Sequence, residues 1–204
     1  MKKLLIASAV ALFGLSNAQI AKGTTYLSGT ATYSSTEDNN DDTKTEDFRI
    51  IPTVGYFVAP NLAIGAGVGY ASSSEKMTYN NGFEKGTLSA FVVEPFVRKY
   101  WTLGDKLYIF GQLSVPMEFG NAKYEETENN SSSSEKVNYN SFGVSVKPGL
   151  DYFLNKNWTI EATIGEFGYN TTKWDVEGAQ NTNNFNFGLN LANVGIGVKY
   201  VFAK

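Results

Sequence analysis

Apolar side chains alternate with polar or small ones along most of this 204-residue chain. From Leu62 to Tyr70 every second residue is apolar, and Ala63 and three glycines occupy the positions between. A period of two residues is typical of a β-strand with one apolar face. Runs of this kind predict eight strands, at approximately 23–34, 46–58, 61–72, 86–102, 106–120, 137–154, 157–173 and 184–202.

Short turns and long polar segments alternate between the predicted strands. The short turns, at residues 59–61, 104–105 and 155–157, are rich in Gly, Pro, Asn and Asp, which favour tight turns. The long segments are rich in Ser, Thr, Asn and Glu, and this composition predicts solvated, mobile loops. These segments are residues 35–45, 72–85, 121–136 and 172–184. Because the number of strands is even, both termini are expected at the end with the short turns.

The predicted strands are longer than those of an ordinary soluble sheet. Most contain a dozen residues or more, whereas ~5–6 residues is usual and ~9–11 residues cross a bilayer when the strand is tilted. Aromatic residues gather near both ends of the apolar runs, as they do at the two interfaces of a membrane. Near the short turns these are Tyr56, Tyr100, Trp101, Tyr152, Trp158, Tyr200 and Phe202, and near the long segments Tyr33, Phe48, Tyr70, Phe119 and Trp174.

Together these patterns predict an all-β fold in which residues 19–204 form an eight-stranded antiparallel up-and-down transmembrane β-barrel. The bore of such a barrel is only wide enough to be filled by side chains. Gly65, Gly67 and Gly69 are therefore expected to line the interior beside larger inward residues. A phosphate-binding loop is the alternative, but it requires G-x-G-x-x-G followed by a helix, and no helical pattern follows.

The N-terminus has the three parts of a secretory signal peptide. Lys2 and Lys3 precede an apolar run from Leu4 to Leu15, and small residues at 16 and 18 predict cleavage between Ala18 and Gln19. The chain has 17 basic residues, so losing these two lysines with residues 1–18 leaves 15 against 20 acidic residues, a net charge of −5. An exported chain of that charge is a poor candidate for binding nucleic acid. Cysteine is absent, so no disulfide is expected.

Charged residues on the inward faces of the predicted strands form the main candidate site. A balanced network of ion pairs is expected in the lumen, because a buried charge is tolerated only when it is paired. Its members are Arg49, Glu94, Arg98, Glu118, Lys147, Asp151, Glu161 and Lys199. Asp151 and Glu161 face the same side and could form an acid/base pair, as in glycosidases. The favoured interpretation is that a lumenal lysine or arginine bridges them.

No cofactor or metal site is predicted. The acidic segment with Glu37, Asp38, Asp41 and Asp42 lacks the spacing of a calcium-binding loop and is interpreted as a solvated loop. Histidine, the commonest general base and metal ligand, is absent from the chain.

The organisation of the chain resembles the small outer-membrane β-barrel family, in particular OmpX- and OmpW-like proteins. The segment Gly197-x-x-Tyr200-x-Phe202 is similar to the terminal signal that the barrel-assembly machinery reads, although two residues follow Phe202 here. The resemblance implies an integral protein of a Gram-negative outer membrane with outer-membrane lipids, lipopolysaccharide and the assembly machinery as partners. It also implies periplasmic termini, extracellular long loops and a monomer. Barrel enzymes similar to this architecture use a catalytic histidine, so no enzymatic activity is expected.

Two functions remain open at this level. One is a non-enzymatic surface barrel, structural or adhesive, that binds a ligand through its long polar loops. The other is a narrow porin-like channel for small hydrophobic or ionic solutes. A filled lumen favours the first function, and a continuous water path favours the second.

Overall fold

A computed structural model describes residues 20–129, 131–189 and 195–202. The regular elements of these residues are all β-strands. In chain order they are β1 (Thr25–Asp38), β2 (Thr43–Ala59), β3 (Leu62–Tyr79), β4 (Gly82–Thr102), β5 (Leu107–Ser114), β6 (Met117–Glu128), β7 (Ser131–Phe153), β8 (Trp158–Thr163), β9 (Gly165–Trp174), β10 (Thr182–Leu189) and β11 (Gly195–Phe202). In the described part of the chain, no helix is long and apolar enough to cross a membrane. The predicted signal peptide lies outside the described residues.

The strands form one antiparallel up-and-down ring of eight. Three strands of the ring are each described as two segments: β5 with β6, β8 with β9, and β10 with β11. The ring closes where β1 pairs with β11, from Thr25 opposite Phe202 to Gly29 opposite Val198. This arrangement confirms the predicted fold class and the predicted number of strands.

The predicted long mobile loops are wrong for most of their length. β1 and β2 pair continuously to Asp38 opposite Thr43, and β3 and β4 pair to Tyr79 opposite Gly82. β6 and β7 also pair to the end of their hairpin. Polar residues on both faces erase the apolar period that reveals a strand, so composition alone indicated loops. The strands therefore continue as long hairpins. We call the parts of the β1–β2, β3–β4 and β6–β7 hairpins beyond the ring the projecting hairpins. The longest tip between described strands is residues 175–181.

Short left-handed turns make these tight connections possible. Asn61 connects β2 to β3 with φ 58°, and Asp42 and Asn129 adopt φ of 49° and 45° at two of the hairpin tips. Asn and Asp enter the left-handed region more readily than other residues with a Cβ atom, because their short polar side chains bond to the local backbone. Turn chemistry therefore allows each pair of strands to remain in register up to its tip.

The outward face of the ring is an apolar belt. Val54 and Tyr56 of β2, Ile64 of β3, and Phe142 and Val144 of β7 are all exposed, as the alternation predicts. Two aromatic residues assigned to the interfacial girdles lie inside instead. Tyr100 is buried in the bore, and Trp174 packs its ring 5.1 Å from that of Tyr139 on the inward side.

Glycines make room for aromatic rings in the bore. A Cβ atom on Gly65 would lie 2.4 Å from the Phe96 ring and 2.3 Å from the Val54 carbonyl oxygen. A Cβ atom on Gly55 would lie 2.2 Å from the Tyr26 ring. These distances are far below van der Waals contact, so the strands bring backbone against ring at these positions. The glycines of β3 are thus interior lining, as predicted.

Candidate functional site

The eight charged residues assigned to the lumen all point inward, and the structure joins them in four pairs. Arg98 bonds to Glu161 at 2.5 Å, Lys147 to Glu94 at 2.7 Å, Arg49 to Glu118 at 3.3 Å, and Lys199 to Asp151. Each pair joins residues far apart in the sequence, on different strands. The closure of the barrel, rather than any local motif, therefore creates the pairs.

Arg98 is the centre of the buried network. Its Nη1 donates to Glu161 Oε2 and to the Tyr100 hydroxyl at 3.2 Å, while its Nε donates to Gln112 Oε1 at 2.7 Å. The guanidinium also lies 4.3 Å from the centre of the Phe110 ring. The side chains of Arg98 and Glu161 are only 6% and 7% exposed, so water contributes little to their solvation. Hydrogen bonds and contacts with aromatic rings replace the lost solvation by water.

Hydrogen bonds extend this network across the bore. Gln112 Nε2 donates to Ser114 Oγ at 2.8 Å, and Ser28 Oγ donates to the other carboxylate oxygen of Glu161 at 2.7 Å. Lys147 and Glu94 continue the network on the far side through a 3.4 Å contact from Gln112 to Glu94. We call this set the charged layer. Its charges are balanced, and its members come from β1, β4, β5, β7 and β8.

Asp151 and Glu161 do not form a catalytic pair. They lie directly opposite each other on β7 and β8, but each has its own base. Lys199 donates to Asp151 and, at 3.2 Å, to the Tyr100 hydroxyl. Lys199 and Asp151 are fully buried, so neither has access to a substrate. The expectation that one base bridges the two acids is wrong in this detail, because Arg98 and Lys199 approach from different strands.

An aromatic layer closes the bore at the end with the short turns. Its rings are Tyr26, Phe57, Tyr100, Tyr108, Phe110 and Phe153. Successive centroids lie 5.3–6.4 Å apart, from Tyr26 to Phe57, to Tyr100, to Tyr108 and to Phe153. The backbone of residues 20–24 packs beneath the layer, where Ile20 N donates to Asn61 Oδ1 at 2.8 Å. At this level the described rings fill the bore, as expected for an eight-stranded barrel.

The opposite end of the bore is open. Along the inward face of β1, Tyr26 and Ser28 are buried, whereas Thr32 is exposed. A cavity of about 360 Å³ lies above the charged layer, with Arg49, Lys147 and Glu166 in its lining. The Arg49–Glu118 pair at this level is 38% and 29% exposed. The lumen is therefore a cup that opens toward the projecting hairpins.

The projecting hairpins separate their charges by face. We define the outer face as the continuation of the apolar belt and the inner face as the continuation of the bore. Along β3, β4, β6 and β7, alternation places four lysines on the outer face: Lys76, Lys85, Lys123 and Lys136. It places five acids on the inner face: Glu75, Glu84, Glu126, Glu128 and Glu135. The outer face also carries Glu125, which pairs with Lys123 at 2.6 Å.

The acidic tip between β1 and β2 is organised by its own backbone. Asn40 donates from its backbone N–H to Asp38 Oδ1 at 2.9 Å and from its side-chain amide at 3.0 Å. The backbone hydrogen bond, together with the side-chain bond, lowers the pKa of the Asp38 carboxyl. Among the described residues, no group of three or more acidic side chains is arranged to hold a metal ion.

The residues of the predicted assembly signal lie on the closing strand. Tyr200 and Phe202 point outward, with ring centroids 5.0 Å apart, and Tyr200 also packs 4.9 Å from Trp158. Gly197 points inward, where a Cβ atom would lie 3.1 Å from Glu161 Cγ. The two residues after Phe202 lie outside the described residues.

Tyr100 is the member of the aromatic layer that the sequence analysis placed wrongly. Tyr100 was assigned to an interfacial girdle because it is aromatic and lies near a turn. Its position two residues after Arg98 was the available signal, since residues i and i+2 of a strand share one face. The separation of charge on the projecting hairpins was missed because their strands were not identified.

The chain matches a known protein family and is similar to several solved structures. The outer membrane protein β-barrel domain family matches residues 5–202. Similar solved structures include a major outer membrane protein of Thermus thermophilus (13% identity, TM-score 0.48, covering 88% of this chain and 98% of that one). They also include the N-terminal β-barrel domain of Pseudomonas aeruginosa OprF (12%, 0.37, 90% and 100%) and Ail, the attachment invasion locus protein of Yersinia pestis (15%, 0.36, 89% and 99%). Among curated proteins, no relative matches by sequence.

Proposed function

The chain belongs to the outer membrane protein β-barrel domain family, and from this premise we propose that it is a closed, non-enzymatic barrel that presents a binding surface outside a Gram-negative cell. The observation that carries the proposal is the length of the projecting hairpins. β3 and β4 remain paired for nine further register positions beyond Tyr70 opposite Phe91, where the apolar belt ends. Paired strands of this length hold a rigid surface far from the membrane, which a barrel needs only if that surface binds something.

The filled bore supports a role without transport. The charged layer and the aromatic layer both cross the lumen, and the buried carboxylates that face each other are each paired with a base. The alternative function, a narrow channel for small solutes, is favoured by the cavity of about 360 Å³ above the charged layer. That cavity leads to the charged layer and not through it, so the surface-binding function agrees better with the geometry.

The proposed orientation places both termini in the periplasm and the projecting hairpins outside the cell. Because the chain contains no cysteine, single cysteines can report this orientation without background. Asn40→Cys, at a hairpin tip, is expected to react with a membrane-impermeant maleimide on intact cells, whereas Asp105→Cys, in a short turn, is expected to react only after lysis. Equal labelling at both sites on intact cells, or the reverse pattern, would contradict the orientation.

Lipopolysaccharide is a proposed partner of the outer face. Lys44, Lys76 and Lys85 lie directly opposite one another on β2, β3 and β4. Like charges at such positions repel. Glu46, 2.9 Å from Lys44 Nζ, offsets part of this repulsion, and a bound phosphate group would relieve the rest. The row begins four residues beyond Phe48 of the apolar belt, about 13 Å along the strand, near the level of lipid headgroups.

Replacing these three lysines with glutamine is therefore expected to lower the amount of lipopolysaccharide that co-purifies with the barrel, measured as phosphate per chain. A control with the same change in charge is Lys99, Lys106 and Lys156→Gln, at the end with the short turns. This control should retain native lipid content. Equal loss in both triple variants would show that net charge alone determines the association.

The barrel-assembly machinery is a proposed partner of the closing strand. Phe202→Ser removes the last outward aromatic ring of β11, and we expect a lower yield of folded barrel in the outer membrane together with more degraded material in the periplasm. Cold gel electrophoresis, which resolves heat-modifiable folded barrel, measures the yield. Val198→Ser changes the same face of the same strand and controls for the loss of apolar surface. A Phe202→Ser yield equal to that of Val198→Ser would count against a specific signal.

A further inference from the structure

The inner face of the projecting hairpins combines exposed apolar side chains with acids. Leu88 of β4, Ala122 of β6 and Val137 of β7 lie side by side in register across three strands. They line a depression of about 480 Å³ whose wall also contains Glu75 and Tyr124. Leu88 and Tyr124 are exposed although they point away from the belt. Lipid therefore does not cover this apolar row, and among the described residues no side chain of the lumen below lines the depression that contains it.

Acids surround the apolar row, and Lys123, the base that also lines the depression, lies on the outer face and pairs with Glu125. Glu84 of β4 and Glu126 of β6 are direct cross-strand neighbours, an arrangement that is destabilising for two like charges. Glu75 and Glu135 lie in the adjacent row, on either side of Gly86 and Tyr124. Within the described residues, the inner face of β3, β4, β6 and β7 beyond the level of Arg49 has no lysine or arginine.

The outer face of the same strands is mainly basic, so the acids of the inner face do not reflect an excess of acidic residues on both faces. Its four lysines outnumber its one glutamate, and Lys123 and Lys136 are direct cross-strand neighbours. The two faces of one four-stranded sheet therefore have opposite charge. A ligand that complements the inner face must be cationic, and one that covers the apolar row must also carry apolar side chains.

We propose that the inner face of the projecting hairpins binds a cationic, amphipathic peptide segment of a partner protein, with apolar side chains on the row formed by Leu88, Ala122 and Val137. Lysine or arginine side chains of the segment pair with the surrounding glutamates and relieve the repulsion between Glu84 and Glu126. An extended segment suits the site, because it crosses the four strands with its side chains alternating between sheet and solvent. This inference rests on the proposed surface-binding function and specifies the chemistry of the ligand.

A synthetic peptide tests the proposal directly. The probe is a fluorescein-labelled peptide of alternating lysine and leucine, about eight residues long, which is enough to cross four strands spaced about 4.8 Å apart. Fluorescence anisotropy measures its binding to the full-length barrel in nanodiscs of zwitterionic lipid, with empty nanodiscs as the blank. We expect saturable binding that weakens as salt is raised, because the paired charges are exposed to solvent.

Adjacent residues on opposite faces provide a matched control. The Glu84→Gln, Glu126→Gln variant should weaken binding by about tenfold or more, since two charge pairs are lost. The Glu46→Gln, Glu125→Gln variant loses the same charge from the outer face of neighbouring strands and should bind within about twofold of native. Both variants change half-buried residues, and heat modifiability verifies that each is folded. Equal weakening in the two variants, or no binding by the native barrel, overturns the proposal.

Two further peptides separate the contributions of charge and apolar contact. A peptide with glutamate in place of lysine should not bind, and one with serine in place of leucine should bind more weakly than the probe. Equal affinity of the serine peptide would overturn the role of the apolar row. A barrel that is labelled from outside at Asn40→Cys but does not bind the probe contradicts this inference alone and leaves the proposed function intact.

Discussion

Replacing Arg98 with alanine is expected to lower the free energy of unfolding by about 3–5 kcal/mol, the cost of breaking a buried ion pair. The substitution leaves Glu161 buried with Ser28 as its remaining hydrogen-bond donor, and it removes the donor to Gln112. It also removes the cation that lies against the Phe110 ring. Urea titration of the barrel in lipid vesicles, followed by tryptophan fluorescence, measures the change as a lower midpoint.

Two comparisons isolate the ion pair. Lys106→Ala, in an exposed turn, removes the same charge from the surface and should change stability by less than about 0.5 kcal/mol. The double variant Arg98→Ala, Glu161→Ala should lose less than the sum of the two single changes, because it leaves no charge unpaired. A stability of Arg98→Ala equal to that of the native chain would mean that water reaches the pair and that the lumen is wet.

The fold was predictable because the membrane imposes a simple pattern. A strand with lipid on one side and a filled bore on the other must alternate, and this period identified the eight strands, the outward residues such as Val54 and Phe142, and the inward position of Arg98. Alternation also placed the eight lumenal charges on the inward face. The partners of those charges were not predictable, since Arg98 meets Glu161 only through the curvature and register of the closed ring.

The projecting hairpins were not predictable for a related physical reason. Beyond the membrane both faces of a strand contact water, so no apolar period remains and composition indicates loops. The strand register in the structure assigns each residue of these segments to one face, and it places Glu126 and Lys123 on opposite faces. Tyr100 was assigned to an interface because an aromatic residue near a turn is as typical of a membrane interface as of a filled bore.

Closure of the bore is the central claim of the proposed function. The rings of the aromatic layer belong to β1, β2, β4, β5 and β7, so they converge in the bore from several sides of the barrel. The charged layer lies directly above it, and Tyr100 connects the two because its hydroxyl accepts a hydrogen bond from Arg98. An ion crossing the barrel would have to separate packed rings and exchange its water for groups that are already paired. The expected steady conductance is therefore zero.

Single-channel recording in planar lipid bilayers tests this claim most directly. The native barrel, reconstituted at a density verified by cold gel electrophoresis, is expected to show a flat baseline at all applied voltages. The Phe57→Ala, Tyr100→Ala variant, which removes two adjoining rings of the aromatic layer, provides a comparison in which transient openings are expected. A flat baseline for the native chain supports a closed barrel that acts through its projecting hairpins, whereas steady steps at the nanosiemens scale from the native chain would contradict it.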